Sequence, residues 1–288
     1  MRYGAAMADT KTIVITGATG KQGGATLAHL SRQGGFKLRA VTRKPSGDAA
    51  NAIAKLGAQV VAGDLDDAAS LERALAGAWG VFAVQNTWEA GVEREEEQGK
   101  RLATIARQQG VQHFVYTSVG SAHQKTGIPH FDNKFRVEQT VKQLAFPSHA
   151  IIRPVFFMEN LLSPSFLNGD KLVSALKPTT KLQMIASDDI GRFAADAFVR
   201  ADKWKGVELD IAGDAATMPQ AAAALSTALG RTVTYQPTPI EAVRQYSDDV
   251  ATMLEWFDAV GYSADIASLE PRWGIRPLTL PEWLRQQR

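Results

Sequence analysis

Short apolar runs alternate with stretches of helical hydrophobic spacing through the first half of the chain. Buried strands are predicted for the apolar runs at residues 11–15, 37–42, 59–62, 81–84, 113–117 and 150–152. Helices are predicted between them, at residues 25–30, 48–56, 68–76, 92–109 and 131–144. Because strands that alternate with helices form parallel sheets, this pattern indicates an α/β fold with helices on both faces of one sheet.

The pattern loosens beyond residue 154, where prolines interrupt short elements. Only residues 207–211 and 232–235 are predicted as strands in this part. We therefore expect a sheet domain at residues 11–154 and a smaller α+β lobe at residues 155–288, some segments of which can return to the sheet. The lobe is expected to cover the strand ends, with its large aromatic side chains in its core, namely Trp256, Phe257, Trp273 and Trp283.

A glycine-rich turn stands between the first predicted strand and the first predicted helix. Its glycines recur every third residue, at Gly17, Gly20 and Gly23. A helix that starts here presents unpaired N–H groups and a positive dipole end, and the glycines let a pyrophosphate approach the backbone. A phosphate-loop NTPase is excluded because Gln22, rather than Ser or Thr, follows Gly20-Lys21. The predicted cradle is Gly17, Ala18, Thr19, Gly20, Lys21, Gln22 and Gly23.

Composition narrows the class of protein further. The chain has 288 residues with 45% hydrophobic content, which is enough for a sizeable core, and a formal net charge of only +2. It contains no cysteine, so disulfides, thiolate metal sites and cysteine nucleophiles are excluded. No apolar run has the ~18 residues of a membrane span. We expect a cytoplasmic protein without direct nucleic-acid or membrane binding, whose residues 1–10 are disordered and whose natural initiator is Met7.

The end of the second strand predicts which nicotinamide cofactor is bound. An acidic residue there would hold the ribose 2′-hydroxyl of NAD, whereas arginine suits the 2′-phosphate of NADP. This strand is followed by Arg43 and Lys44, and no acid occurs until Asp48. The pair predicts NADP(H), since the planar guanidinium can donate two parallel hydrogen bonds to a phosphate. Asp64 and Leu65, after the third strand, are expected beside the adenine.

A candidate catalytic pair lies at the start of the helix after strand five. Short-chain dehydrogenases carry Tyr-x-x-x-Lys there, and residues four apart share one helix face. This chain has His130 and Lys134 at that spacing, so the lysine is present and a histidine replaces the tyrosine. Thr117 or Ser118 could occupy the usual serine position. The acidic run of Glu93 and residues 95–97 is interpreted as a solvated first helical turn and not as a metal site; no metal is expected.

Taken together, these motifs resemble the NmrA-like branch of the atypical short-chain dehydrogenases, especially its HSCARG-type members. The resemblance covers nearly the whole chain and rests on residues 16–24, 41–45, 63–67, 86–89, 130–134 and 157–160. It implies a Rossmann doubly wound parallel sheet with a small C-terminal lobe, and Lys134 at the nicotinamide ribose. It further implies cofactor contacts from Gln85, Asn86, Val155, Phe156, Phe157 and Asn160.

The resemblance leaves two functions open. The one that we favour from the sequence is a redox sensor or regulator that binds NADP(H) and changes its affinity for a regulatory protein partner. Residues 86–97 and 121–129 are its candidate mobile covers. The alternative is an NADPH-dependent reductase of a quinone-like or conjugated acceptor, because His130 lacks the phenol that a simple ketone reduction would use, and a reduced quinone can take its proton from water. An oligomeric state is compatible with either function.

Overall fold

The computed structural model describes residues 10–287. Of the N-terminal residues 1–10 that we expected to be disordered, only Thr10 is among the described residues. Met7, the expected natural initiator, lies outside them. In chain order, the first half contains β1 (Thr12–Ile15), α1 (Lys21–Gln33), β2 (Lys37–Thr42), α2 (Asp48–Lys55), β3 (Gln59–Ala62), α3 (Ala68–Leu75), β4 (Gly80–Ala83), α4 (Thr87–Ala90), α5 (Val92–Gln108), β5 (His113–Thr117), α6 (Pro129–Gln143) and β6 (Ser148–Pro154).

The second half contains more short strands than its sequence predicts. Its elements are β7 (Phe156–Phe157), β8 (Leu167–Asn168), β9 (Lys171–Ser174), β10 (Lys181–Ile185), α7 (Ser187–Val199), α8 (Ala201–Trp204), β11 (Val207–Ile211), β12 (Asp214–Thr217), α9 (Met218–Leu229), β13 (Thr234–Pro237), α10 (Ile240–Tyr246), α11 (Asp248–Ala259), α12 (Ile266–Trp273) and α13 (Leu280–Arg285). The expectation of only two strands after residue 154 was wrong, because strands of two to five residues are too short to show an alternation.

A seven-stranded parallel sheet forms the centre of the fold, in the order β11-β6-β5-β4-β1-β2-β3. This confirms the predicted Rossmann α/β class. The central strand β5 is buried at every position, as expected for a strand with helices on both faces. The order of the strands reverses between β1 and β4, so their carboxyl ends open a crevice of the kind that binds ligands in doubly wound sheets.

Strand β11 occupies an edge of this central sheet. Its bounds agree with the strand predicted at residues 207–211, and all five residues pair with β6 in parallel. Helix α7 likewise belongs to the sheet's helical layer, because it packs closely on α1. A Cβ at Gly191 would lie 2.5 Å from the carbonyl carbon of Ala25. Residues 187–211 therefore return to the Rossmann layers from within the second half.

The remaining C-terminal segments form a lobe over the carboxyl ends of the strands. Two three-stranded sheets, β12-β10-β7 and β13-β9-β8, pack with helices α9, α11 and α13 around a separate apolar core. Phe257 and Trp283 are buried in this core, whereas Trp273 is buried against the central sheet and Trp256 is partly buried. Helix α6 begins at Pro129, two residues earlier than predicted, because proline fits the first helical turn. Between residues 10 and 287, no helix is both long and apolar enough to cross a bilayer.

Candidate functional site

A cleft of about 1480 Å³ lies between the carboxyl ends of the central strands and the lobe. Its floor comes from the turns after β1, β2, β3, β4 and β5, and its far wall from the lobe. It is long because it runs from the glycine turn, past the start of α6, to helices α10 and α11. Most of the predicted cofactor residues thus share one cavity with the predicted catalytic pair.

The glycine turn approaches the first turn of α1 very closely. Gly17 has a φ of 58°, and a Cβ on it would lie 2.5 Å from Val84 Cγ1. A Cβ on Gly23 would lie 2.6 Å from the carbonyl oxygen of Thr16. Gly20 caps the helix without a side-chain hydrogen bond. Only residues without a side chain fit here, and the start of α1 remains open to an anion.

Most of the predicted site residues line this cleft. They are Gly17, Thr19, Gly20, Lys21, Gln22, Gly23, Arg43, Asp64, Leu65, Gln85, Asn86, His130, Lys134, Val155, Phe156, Phe157 and Asn160. Two do not: Ala18 is buried in the core beneath the turn, and Lys44 lies on the exposed surface outside the cleft. Ala18 was predicted from its place in the motif, which does not distinguish the ligand-facing side of a turn from its core-facing side.

Arg43 lines the cleft and forms an ion pair with Glu89 of α4. Both side chains are more than half exposed, so the pair is open to exchange with another anion. Next to it, Asp66 accepts a hydrogen bond from Arg94 at 3.0 Å and another from Gln98 at 2.9 Å. The hydrogen bond from Arg94 is the largest influence on the pKa of Asp66 and holds it below the usual carboxyl value.

Glu95 is buried at the centre of the cleft wall, although the sequence predicted that the whole acidic run would be solvated. Only 1% of its surface is exposed, and its carboxylate accepts hydrogen bonds from Thr87, Asn133 and Lys134. The prediction was wrong for this residue because one face of the first turns of α5 packs toward α6, and Glu95 lies on that face. Residues three or four apart share a helix face, so neighbouring acidic residues can differ in burial. Glu97, on the other side of the helix, is exposed.

The charge on Glu95 is maintained by its partners. Burial alone would raise the pKa of this carboxyl, but the charge and hydrogen bond of Lys134, together with the hydrogen bonds from Thr87 and Asn133, outweigh burial and hold the pKa below its usual value. Lys134 is itself largely buried, with only 13% of its side chain exposed. The pair therefore fixes the ammonium group of Lys134 at the cleft, one helical turn beyond His130.

Several buried polar atoms in the cleft have no protein partner among residues 10–287. They include both amide atoms of Gln85 and the hydroxyl of Ser118. Because buried polar groups are nearly always hydrogen-bonded, such atoms indicate ligand contacts. Of the two candidates for the serine position, Ser118 lines the cleft, whereas the Thr117 hydroxyl donates to the side-chain oxygen of Gln22 at 2.6 Å.

His130 is buried at the junction of the Rossmann layers and the lobe. Its ring lies 5.2 Å from the Trp88 ring, and its Nδ1 lies 2.6 Å from Oδ2 of Asp249. Asp249 belongs to α11 of the lobe and was not predicted as a site residue. No local pattern could have identified it, since 119 residues separate it from His130.

The far half of the cleft is lined mainly by apolar side chains, with some serine and threonine hydroxyls among them, and was largely missed from sequence. The lobe supplies apolar side chains that have no diagnostic spacing, namely Phe156, Phe166, Val173, Val243, Val250, Met253 and Leu254, together with Tyr262. Tyr246 lines the opening of the cleft and is 96% exposed. Tyr235 does not reach the cleft, because its hydroxyl donates to the carbonyl oxygen of Ser174 at 3.0 Å.

Residues 10–287 contain no cluster of His, Asp or Glu side chains arranged to hold a metal ion. The glycine cradle and the unpartnered Gln85 and Ser118 instead fit an elongated phosphate-bearing ligand such as a dinucleotide. Its length would extend from Arg43 to Lys134, and the apolar half of the cleft would stay free for a second molecule.

Comparison with known proteins agrees with this geometry. The model of the NmrA-like family matches residues 9–285. The chain belongs to the NmrA-like family. An NmrA-like family domain-containing protein of Dictyostelium discoideum is 28% identical over 269 residues, covering 88% of this chain and 89% of the relative. The NmrA-like family domain-containing oxidoreductase hkm9 of Aspergillus hancockii is 28% identical, covering 80% of this chain and 76% of the relative.

A solved structure is similar to this NmrA-like protein over nearly its full length. It is the NADPH-dependent quinone oxidoreductase QOR2 of Escherichia coli, in complex with NADPH. The two structures align with a TM-score of 0.82 at 26% identity, covering 96% of this chain and 99% of the other.

Removal of the Glu95 charge is expected to destabilise the folded protein and to release Lys134. Glu95→Gln should lower the free energy of unfolding near pH 7 by about 3 kcal/mol, because it leaves a largely buried ammonium group without its counter-ion. The pKa of Glu95 is lowered by folding, so its contribution is present above the unfolded value and is lost as the pH falls below about 4.

Urea unfolding of wild type and variant at several pH values measures this difference. The exposed Glu97→Gln on the same helix is the matched control and should change stability by no more than about 0.5 kcal/mol. An equal, small effect of both substitutions at neutral pH would contradict the role assigned to Glu95.

Proposed function

We propose that this chain binds NADP(H) in the cleft and reduces a quinone-like or other conjugated acceptor. The observation that carries the proposal is the continuity of the cavity. One cleft joins the glycine cradle, Lys134 and an apolar chamber under the lobe, so that cofactor and acceptor can meet at the start of α6. A protein that only bound the dinucleotide would have no need of this apolar extension.

The cofactor's placement follows from the chemistry of the lining residues. The cradle of residues 17–23 would hold the pyrophosphate at the start of α1. Arg43 would exchange the carboxylate of Glu89 for the 2′-phosphate, and Asp64 and Leu65 would flank the adenine. Lys134, held by Glu95, would donate to the nicotinamide ribose. When bound, NADPH supplies the hydride.

The proposed acceptor class follows from the mainly apolar chamber and from the replacement of the motif's tyrosine by His130. Phe156, Met253 and Leu254 would pack against a flat apolar ring, and His130 replaces the tyrosine typical of carbonyl reduction. Reduction of a quinone requires less acid assistance, because the product oxygen is a stabilised phenolate. The names of hkm9, an oxidoreductase, and of QOR2, an NADPH-dependent quinone oxidoreductase, support this choice.

Preference for NADPH is expected to depend on Arg43. Arg43→Ala should weaken NADPH binding by about 1–3 kcal/mol, the scale of a lost hydrogen bond to a charged group, and should leave NADH binding almost unchanged. Calorimetric titration with both cofactors measures this. Lys44→Ala, at the neighbouring position outside the cleft, is the control and should have a smaller effect. Equal losses for NADPH and NADH would contradict the assignment of Arg43 to the 2′-phosphate.

Acceptor-dependent oxidation of NADPH tests the reductase function directly. We expect turnover with quinones and conjugated acceptors, and a loss of about 10-fold or more in kcat/KM in Lys134→Ala, because the nicotinamide ribose loses its charged partner. Lys100→Ala, a half-buried position on α5 that pairs with Glu96 outside the cleft, is the control and should keep wild-type turnover. A protein that binds NADPH but turns over no acceptor of a broad panel would contradict the reductase proposal.

A second candidate function is that of a redox sensor with a regulatory protein partner. It is favoured by the exposed Arg43–Glu89 pair and by Trp88, which is 66% exposed beside it. Because NADP(H) would have to break this pair, cofactor binding would alter the outer surface of α4, where a partner could detect it.

The sensor function predicts a cofactor-dependent change in residues 86–97 and 121–129. Saturating NADPH should slow limited proteolysis several-fold within residues 86–97, several of which line the cleft, and less within residues 121–129, none of which lines it. Mass spectrometry of the fragments identifies the cleavage sites. Arg43→Ala, compared with the wild type at equal NADPH occupancy, shows whether the slower proteolysis requires contact with the 2′-phosphate or only cofactor binding. Cleavage at the same rate with and without NADPH would contradict the sensor proposal.

A further inference from the structure

Asp249 and His130 form a contact that joins the lobe to the catalytic helix. Oδ2 of Asp249 lies 2.6 Å from Nδ1 of the His130 ring, and Oδ1 accepts a hydrogen bond from the His130 backbone N–H at 3.2 Å. One carboxylate therefore holds both the backbone and the ring of the same residue. Asp249 lies in the first turn of α11 and His130 in the first turn of α6.

The surroundings of the His130 ring leave only one of its nitrogens, Nε2, free for proton transfer in the cleft. His130 is 5% exposed, with the Trp88 ring at 5.2 Å and the Phe131 ring edge-on at 4.8 Å. Nδ1 is buried, and its contact with Oδ2 of Asp249 has the distance of an ion pair but an angle too bent for a regular hydrogen bond; no other atom among residues 10–287 forms a hydrogen bond with it. No described residue forms a hydrogen bond with Nε2, the nitrogen on the opposite side of the ring, and the residue lines the cleft.

A carboxylate at Nδ1 decides which nitrogen carries the proton in the neutral ring. An acceptor at that position selects the Nδ1–H form, which leaves Nε2 as the nitrogen that can take and release a proton. The carboxylate also stabilises the charged imidazolium. Burial would raise the pKa of Asp249, but the hydrogen bond and charge of His130 outweigh burial and keep the pKa below its usual value, so the carboxylate stays ionised.

We propose that His130 and Asp249 form a proton-donating pair in which His130 is the catalytic residue and Asp249 is its positioning residue. The proposal rests on the reductase function. Hydride transfer to the acceptor leaves a negative charge on its oxygen and oxidises the nicotinamide. The imidazolium then gives its Nε2 proton to that oxygen, an O–H bond forms, and the neutral ring keeps its Nδ1 proton on Asp249. Solvent protonates Nε2 again before the next turnover.

A purely structural role for Asp249 makes a different prediction. If Asp249 only satisfied the free backbone N–H at the start of α6, asparagine would serve equally well, because its side-chain oxygen can accept the same hydrogen bond. The side-chain NH₂ of asparagine would then face Nδ1 and donate to it. The neutral ring would have to carry its proton on Nε2. Asp249→Asn thus preserves the helix contact and reverses the tautomer.

Nitrogen NMR of the histidine rings tests the pairing without any substrate. The chain has five histidines, and His130→Gln identifies the signals of His130. At a pH where the ring is neutral, we expect the Nδ1–H form in the wild type and the Nε2–H form in Asp249→Asn. Asp248→Asn is the matched control, because Asp248 is the preceding residue, is 79% exposed and pairs with Arg244 on the surface. The same tautomer in wild type and Asp249→Asn would overturn the pairing.

A series of quinones whose reduced forms differ in oxyanion basicity tests the proton transfer. His130→Gln and Asp249→Asn should lose little kcat with the least basic product and about 100-fold with the most basic one, with a smaller change in KM. Asp248→Asn should retain wild-type values throughout. A loss that is independent of product basicity would overturn the donor role. Absence of turnover in the wild type would overturn the reductase function and the donor role together, while the NMR result still decides the pairing.

Discussion

The buried carboxylate of Glu95 is the constraint on which the arrangement of the site depends. A charge removed from water requires compensation, and here three groups on two other helices supply it: Thr87 of α4 and Asn133 and Lys134 of α6. The hydrogen bonds that compensate the charge of Glu95 hold α4, α5 and α6 together as one wall of the cleft. It also keeps the ammonium group of Lys134 at the centre of the cavity, where a flexible lysine side chain would otherwise sample many positions.

The lobe completes a site that the Rossmann layers only begin. The Rossmann layers contribute the glycine cradle, Arg43 after β2 and Lys134 of α6, which are elements of dinucleotide recognition. The apolar chamber and Asp249 come from segments beyond residue 154. Because His130 touches Asp249 across this boundary, the position of the lobe and the state of the candidate acid are coupled. The proposed reductase function therefore depends on a contact between the two parts, whereas the proposed sensor function depends on the exposed Arg43–Glu89 pair.

Most of the central sheet could be predicted from the sequence, because each strand and helix has a hydrophobic period of its own. Residues 37–42, 59–62 and 113–117 are strands with the predicted bounds. The lobe could not be predicted in this way. Strands such as Phe156–Phe157 and Leu167–Asn168 are too short to carry a period. Residues 207–211 were recognised as a strand, but their place beside β6 depends on pairing between segments more than 50 residues apart.

The sequence by itself determined the fold class, the glycine turn and the His130–Lys134 spacing, because each follows from residues close together in the chain. Only the tertiary structure decided which of these residues face a ligand. It buried Ala18, paired Arg43 with Glu89 and enclosed Glu95, which resembles its solvated neighbours in sequence. The contact between Asp249 and His130 could not be predicted from the sequence either, since contacts between distant segments arise from packing and leave no local pattern.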